Sequence, residues 1–378
     1  MLSSKGLCIL GGGLVAFCKA GNIEIAGVAA SVPDNLFTKE FFSKDFGMEN
    51  VEKFVKSTGI SSTYRALKEQ TASDLGYEAS EYLLKRLGMD RSKIGIMLFI
   101  TQSPDYRRPA SACVLQKRLN LPMNCAVMDI GLGCSGFIYG HYTMEVMLQS
   151  SDSEYGLLIL GETASKLVNP KDKSIAMMYG DAGAAVLYKK TIAPDRYTLL
   201  KSDGKRFKSI ILPAGGFRDM YPERKIVLCS DGIERSKYDI YMDGLSIFSF
   251  STSEVPEAIK EYLEQTQSTM EDYDLVLLHQ ANRFILKQIA RKLNIPMDKI
   301  PISLDRYGNT GSVSIPLTIC DYVNSTKLEK KKLRILAAGF GIGLSWGVTS
   351  FDISSEMIMG IIKTKNFYAE GVISPSEY

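Results

Sequence analysis

Two stretches of this chain repeat the same order of elements, and that order restricts the folds open to it. The segment Ala79-Ser80-Glu81-Tyr82-Leu83 reads as helix, passes a polar turn at residues 89–93, and enters the unbroken apolar run 94–100. The segment Ala258-Ile259-Lys260-Glu261-Tyr262-Leu263 also reads as helix and passes residues 270–274 into the apolar run 275–278. A short strand that is apolar at every position has no solvent side, so it belongs in a sheet covered on both faces. Two such units predict two similar α/β halves; chance similarity is the other reading. Each run stops abruptly in polar residues, Thr101-Gln102-Ser103 in the first and His279-Gln280-Ala281-Asn282 in the second. Functional groups in such sheets gather where strands end, which marks both clusters as candidate site residues.

The 378 residues are enough for two packed halves, and a net charge of +3 is too small to imply a nucleic-acid partner. The seven cysteines (Cys8, Cys18, Cys113, Cys125, Cys134, Cys229 and Cys320) form no Cys-x-x-Cys pair. Their odd number and the chain's size speak against a zinc ribbon or a disulfide scaffold and for a reducing, cytoplasmic setting, with no metal site expected. Lys5 before the apolar residues 7–17 loosely resembles a short signal peptide, but Gly11-Gly12-Gly13 interrupts the apolar helix such a segment needs. Residues 1–21 are therefore read as an N-terminal extension of uncertain order. No apolar stretch reaches the eighteen or more residues of a membrane-spanning helix, so no membrane partner is expected.

The sharpest local signal is Asp129-Ile130-Gly131-Leu132-Gly133-Cys134-Ser135-Gly136-Phe137. An apolar strand over 126–130 meets a Gly-Leu-Gly turn, and Phe137, Ile138, His141, Met144 and Met147 then recur at helical spacing. Cys134 is thereby expected at a strand-to-helix elbow, at or near a helix N-terminus. The positive end of a helix favours a thiolate, the form in which sulfur is a nucleophile, and so lowers the expected pKa. The other six cysteines are expected to be small buried gap-fillers.

Two histidines exist. His279 ends the apolar strand 275–278 and is expected to face a cleft, with a helix following from about 281 to 293. His141, seven residues after Cys134, is carried about two helical turns away from the elbow and reads as a packed or surface residue. The run Tyr307-Gly308-Asn309-Thr310-Gly311-Ser312 is, taken alone, a turn.

Six motifs stand together in order. They are Ser57-Thr58-Gly59-Ile60; Gly133-Cys134-Ser135-Gly136-Phe137; Gly180-Asp181-Ala182-Gly183-Ala184-Ala185; His279-Gln280-Ala281-Asn282; Gly308-Asn309-Thr310-Gly311-Ser312; and Gly339-Phe340-Gly341-Ile342-Gly343-Leu344-Ser345-Trp346-Gly347. This set resembles β-ketoacyl-acyl-carrier-protein synthase III over residues 22–353. The resemblance implies a thiolase fold, an α/β arrangement of two βαβαβαββ halves in five αβαβα layers, and a homodimer. It divides the chain into an N-terminal half (22–190) carrying the cysteine, a C-terminal half (191–353) carrying the histidine and asparagine, and a C-terminal extension (354–378).

It also implies a ping-pong reaction without a bound cofactor. An acyl thioester loads Cys134, and a malonyl unit on an acyl carrier protein then loses carbon dioxide and attacks. His279 and Asn309 would donate hydrogen bonds to the enolate oxygen, and the backbone N–H groups of Cys134 and Ile342 would form an oxyanion hole. Elongating relatives use two histidines beside the cysteine; with His279 alone suitable, the resemblance is to the initiation-type branch.

Several positions depart from the family pattern. Lys53 and Ser57 stand where the family commonly places the Trp and Arg that hold a nucleotide-bearing donor, so a coenzyme A clamp is not evident. Lys173 replaces an arginine that meets phosphate and loses its bidentate fork. Arg108 replaces an aromatic of the acyl pocket; buried there it would favour a polar or acidic acyl group, and pointing to solvent is the other reading. Arg283, Lys287 and Arg291 share one helical face, where the resemblance implies docking of an acidic carrier protein and a solvated stripe is the other reading. Two alternatives remain for the chain: a non-condensing acyltransferase passing the acyl group to an oxygen or nitrogen nucleophile, and an inactive partner subunit of a synthase.

Overall fold

A computed structural model describes residues 16–326 and 331–377. The signal-like stretch 7–17 and Cys8 lie mostly outside the described residues. Two large sheets organise the chain. In chain order their strands are β1 (Ala16–Ala20), β2 (Ile23–Pro33), β3 (Ile94–Ile100), β4 (Ala126–Ile130), β5 (Tyr155–Glu162) and β6 (Ala182–Lys190), then β7 (Arg196–Ser202), β8 (Leu275–Leu278), β9 (Lys332–Gly341), β10 (Ser345–Ser354) and β11 (Ile358–Thr364). One sheet runs β11-β2-β6-β5-β3-β4 and the other β1-β7-β10-β9-β8.

The continuous apolar runs are explained by where alternate side chains go. Ile96, Leu98 and Ile100 of β3 point into the core between the sheets, while Met97 and Phe99 join an outer core. Leu275 and Leu277 of β8 enter the same central core, and Val276 and Leu278 enter a third core on the far side. All positions but Gly95 are buried because both faces of each sheet are covered.

Helices supply the covers. The helices α1 (Ala72–Arg86) and α2 (Ser111–Arg118) lie on the outer face of the six-stranded sheet. Between the sheets run α3 (Gly136–Gln149) and, from the other half, a helix spanning Ser314–Ser325. On the outer face of the five-stranded sheet lie α4 (Gly244–Thr266) and α5 (Arg283–Leu293). The result is the five-layer thiolase arrangement. None of the described helices is long and apolar enough to cross a membrane.

Both termini cross over. β1, within the segment read as an N-terminal extension, pairs antiparallel with β7 of the C-terminal half's sheet. β11, within the C-terminal extension, pairs in parallel with β2 of the N-terminal half's sheet. Each covers the backbone edge of the opposite sheet, so the tails are part of the layers.

Strand ends set the site. Ile100 and Ile130 end β3 and β4 level with Leu160, and the parallel β5 continues two residues further to Glu162. In the other half Leu278 of β8 is level with Ala338 of β9. The segments leaving these ends meet between the two halves.

Candidate active site

Cys134 follows β4 through Gly131-Leu132-Gly133, with Ser135 as the first cap residue of α3. The turn needs glycine at 133, because a Cβ there would lie 2.7 Å from Ile342 Cγ2. Phe137, Ile138, His141 and Met144 of α3 are buried, which anchors the elbow against the central core.

His279 sits one residue past β8, and its backbone N–H donates to Ala338 O at 2.9 Å, extending the ladder to the site. Its ring meets Phe340 edge-on at 5.5 Å, and Nδ1 lies 2.8 Å from Ser314 Oγ. Asn309 is held by its backbone, donating to Met178 O at 2.9 Å and accepting from Gly180 N–H at 3.1 Å. Its Oδ1 accepts from Gly311 N–H at 3.0 Å. A backbone N–H can be met only by the amide oxygen, so the NH2 end of Asn309 is left to point elsewhere.

Cys134, His279 and Asn309 all line one cavity of about 90 Å³. Its remaining walls include Met178, Tyr179, Ile210, Met242, Ile247 and Phe340. A larger cleft of about 1020 Å³ lies elsewhere, against Glu24, Arg196, Tyr262 and Asp352, and contains none of the three. The smaller cavity is the chemical candidate because a thiol, an imidazole and a carboxamide converge on it.

Electrostatics differ from the expectation for Cys134. Burial pushes its thiol up to about 11, outweighing the backbone N–H of Ile342 that favours the thiolate; the nearby Glu162 raises it further. Taking a sulfur anion out of water costs more than the backbone N–H groups of Ile342 and Cys134 return. Burial depresses His279 to about 4, against a small opposing effect of the Gly311 backbone. The imidazole is therefore neutral at pH 7, able to donate a hydrogen bond but a poor proton acceptor.

Other expected residues fall elsewhere. Arg108 is exposed, with its guanidinium 6.0 Å from the Phe217 ring centroid, and does not line the cavity. Its cation stays at the hydrated surface of the described chain. Lys173 is exposed and also outside the cavity. Arg283 is half-buried over Gly59, while Lys287 and Arg291 are exposed on α5. Next to them Phe284 stacks on Phe248, a cavity residue, at 5.5 Å. His141 is fully buried, 2.8 Å from the Tyr188 hydroxyl and away from the cavity. Cys125 and Cys320 are buried as expected, but Cys113 is exposed and Cys18 and Cys229 are half-buried.

Sequence reasoning missed Glu162. This carboxylate ends β5, is buried, and accepts from Ser312 Oγ at 3.0 Å on Oε1 and from Ser103 Oγ at 3.4 Å on Oε2. Burial pushes its carboxyl up to about 8. It supports the 309–312 loop from behind, together with the 101–103 cluster. The available signal was the same one that marked His279: a polar residue ending an apolar strand.

Comparison with known proteins bears on this arrangement. Models of 3-oxoacyl-[acyl-carrier-protein] synthase III match residues 128–205, and models of its C-terminal part match 263–353. A β-ketoacyl-[acyl-carrier-protein] synthase III of Clostridium perfringens is 33% identical over 329 residues, 86% of this chain and 98% of that protein. The chain belongs to the synthase III family. A putative 3-oxoacyl-[acyl-carrier-protein] synthase 3 of Campylobacter jejuni is 31% identical over 90% of this chain and 98% of its own length. The crystal structure of a 3-oxoacyl-(acyl-carrier protein) synthase from Burkholderia xenovorans superposes with a TM-score of 0.85 at 32% identity, covering 93% of this chain and 99% of that one.

As a synthase III this chain is a condensing acyltransferase. In its helix Met48–Thr58, Lys53 is exposed and pairs with Glu49 at 2.7 Å, and Ser57 Oγ donates to Phe54 O at 2.9 Å. Neither offers a flat surface for an adenine ring.

Proposed function

We propose that this synthase loads an acyl group onto Cys134 and extends it by decarboxylative condensation with a malonyl thioester on an acyl carrier protein. The observation that carries the reading is the convergence of Cys134, His279 and Asn309 on one cavity. In the first half-reaction Cys134 Sγ bonds to the acyl carbon, and the donor thiol leaves with a proton. The N–H groups of Cys134 and Ile342 receive the oxyanion. In the second, the free NH2 of Asn309 and the Nε2–H of His279 hold the malonyl thioester oxygen as carbon dioxide departs. Ser314 donating to Nδ1 would leave the proton on Nε2. A neutral imidazole suits a donor at developing negative charge.

The carrier would dock on α5, where Lys287 and Arg291 are exposed and Arg283 lies beside the Phe248–Phe284 stack. A homodimer is supported by β4: among the described residues it pairs only with β3, and Met128 on it is 39% exposed beside that edge. Free thiols at Cys18, Cys113, Cys125, Cys134, Cys229 and Cys320 support a cytoplasmic setting.

The test is the mass of the intact protein after incubation with acyl thioesters, followed by a malonyl-carrier chase. An acyl adduct on Cys134 that the chase discharges as a 3-oxoacyl-carrier product is expected. Discharge to an oxygen or nitrogen nucleophile with no decarboxylation would instead favour the non-condensing acyltransferase.

A further inference from the structure

The inner wall of the cavity holds a buried hydroxyl with no hydrogen-bond partner among the described residues. α4 carries three successive hydroxyl residues, Ser251, Thr252 and Ser253. Thr252 Oγ1 donates back to Phe248 O at 2.8 Å and Ser253 Oγ to Ser249 O at 2.6 Å, the usual resort of a hydroxyl in a helix. Ser251 does not: its Oγ is buried and without a hydrogen bond among the described residues, although Ser251 lines the cavity and is 1% exposed. A buried hydroxyl without a partner costs stability, so its retention asks for a ligand atom to satisfy it.

Depth along α4 tells which part of a ligand that is. Gly244, Ile247, Phe248 and Ser251 share the face that lines the cavity. Gly244 is exposed, Phe248 half-buried and Ser251 sealed, so Ser251 marks the inner end. Tyr179 is also in the wall, near enough to Cys134 for the cysteine to raise its ionisation, and its hydroxyl makes no hydrogen bond among the described residues. The wall also holds the apolar side chains Met178, Ile210, Met242, Ile247 and Phe340.

Resting on the proposed function above, we propose that the acyl group taken by Cys134 carries its own oxygen, a hydroxyl or ketone on the chain, bound by Ser251 and Tyr179. A plain alkyl chain leaves the buried Ser251 hydroxyl unsatisfied. The malonyl carboxylate is a poor occupant, because a donor that stabilises it in the ground state raises the barrier to losing carbon dioxide. The amides of a carrier arm lie nearer the open end, where water reaches them.

The experiment compares butyryl, 3-hydroxybutyryl, 4-hydroxybutyryl and acetoacetyl N-acetylcysteamine thioesters as donors, reading Cys134 acylation rates by intact mass. At least one oxygenated donor should outrun butyryl by about tenfold, the worth of a net hydrogen bond. Ser251→Ala should shrink that ratio toward one, Tyr179→Phe should reduce it, and Ser251→Thr, which keeps a hydroxyl, should retain it. The proposal is overturned if butyryl matches or exceeds every oxygenated donor. It is also overturned if Ser251→Ala slows all donors equally, or acts only on the malonyl step. Acylation of Cys134 by butyryl in those cases leaves the proposed function standing; no adduct with any thioester sinks both.

Discussion

The backbone of Gly341 passes so close to Cys134 that a Cβ on it would lie 2.6 Å from Cys134 Cβ and 2.8 Å from Sγ. The end of β9 is thereby pressed onto the elbow, which brings the following N–H of Ile342 to the sulfur. A methyl group at 341 must displace either the nucleophile or the strand end. Gly341→Ala should slow Cys134 acylation by about 100-fold, the cost of misplacing a reacting group by about an ångström. Acylation at the native rate would show that the contact relaxes freely.

Asn309 and His279 are assigned to the second half-reaction only. Asn309→Ala should reduce malonyl decarboxylation by about 100- to 1,000-fold, as losing one oxyanion donor does. Cys134 acylation should change by no more than a few-fold. Ser314→Ala, which frees Nδ1 of His279, should act on the same step in the same direction. Equal losses in both half-reactions would contradict the division of labour.

The two half-reactions should also separate by pH. With its thiol pushed up to about 11, Cys134 holds little thiolate near neutrality, so acylation should rise about tenfold per unit between pH 6 and 9. His279 sits at about 4 and stays neutral over that interval, so decarboxylation by the preloaded enzyme should be flat. Single-turnover rates for each step would check this. A flat acylation profile would mean that a proton acceptor other than solvent activates the thiol.

Glu162 makes a stability prediction. Its folded-state carboxyl stands near 8, above its ordinary 4.5, so the folded state favours the protonated form. Its contribution is fully present below about 4.5 and is lost as pH rises through about 8. Glu162→Gln removes that loss. The difference in Tm between variant and wild type should shift in the variant's favour from pH 5 to pH 9. A difference constant with pH would place the carboxylate in a solvated setting.

Lys287 is exposed on α5 and touches none of the cavity. Lys287→Glu should raise KM for the carrier-bound malonyl substrate several-fold and blunt its salt dependence. Acylation by small thioesters should not change. Unaltered kinetics with the carrier at low salt would reject α5 as the docking face.

The parts legible from sequence are those with local causes. The elbow at Cys134 follows from glycine at 131 and 133 between an apolar strand and a helical pattern. The two-faced burial of β3 and β8 follows from runs with no polar position. The helix expected over about 281 to 293 starts at Arg283, behind the Asn282 cap whose side chain accepts from Ile285 N–H at 2.8 Å, and ends at Leu293.

Other features depend on neighbours far away in the chain. The Arg108 loop crosses the surface, where its residue type had allowed a buried pocket position. β1 and β11 find edges on opposite sheets, although each reads locally as a tail. Glu162 meets Ser312, and Ser251 has no partner among the described residues, only because strands and helices from both halves close around them. The rise of the Cys134 thiol has the same origin. Glycine spacing and helix polarity are short-range properties and determined where the sulfur would stand. Desolvation sums over every group that excludes water from it, and only the packed tertiary structure decided that sum.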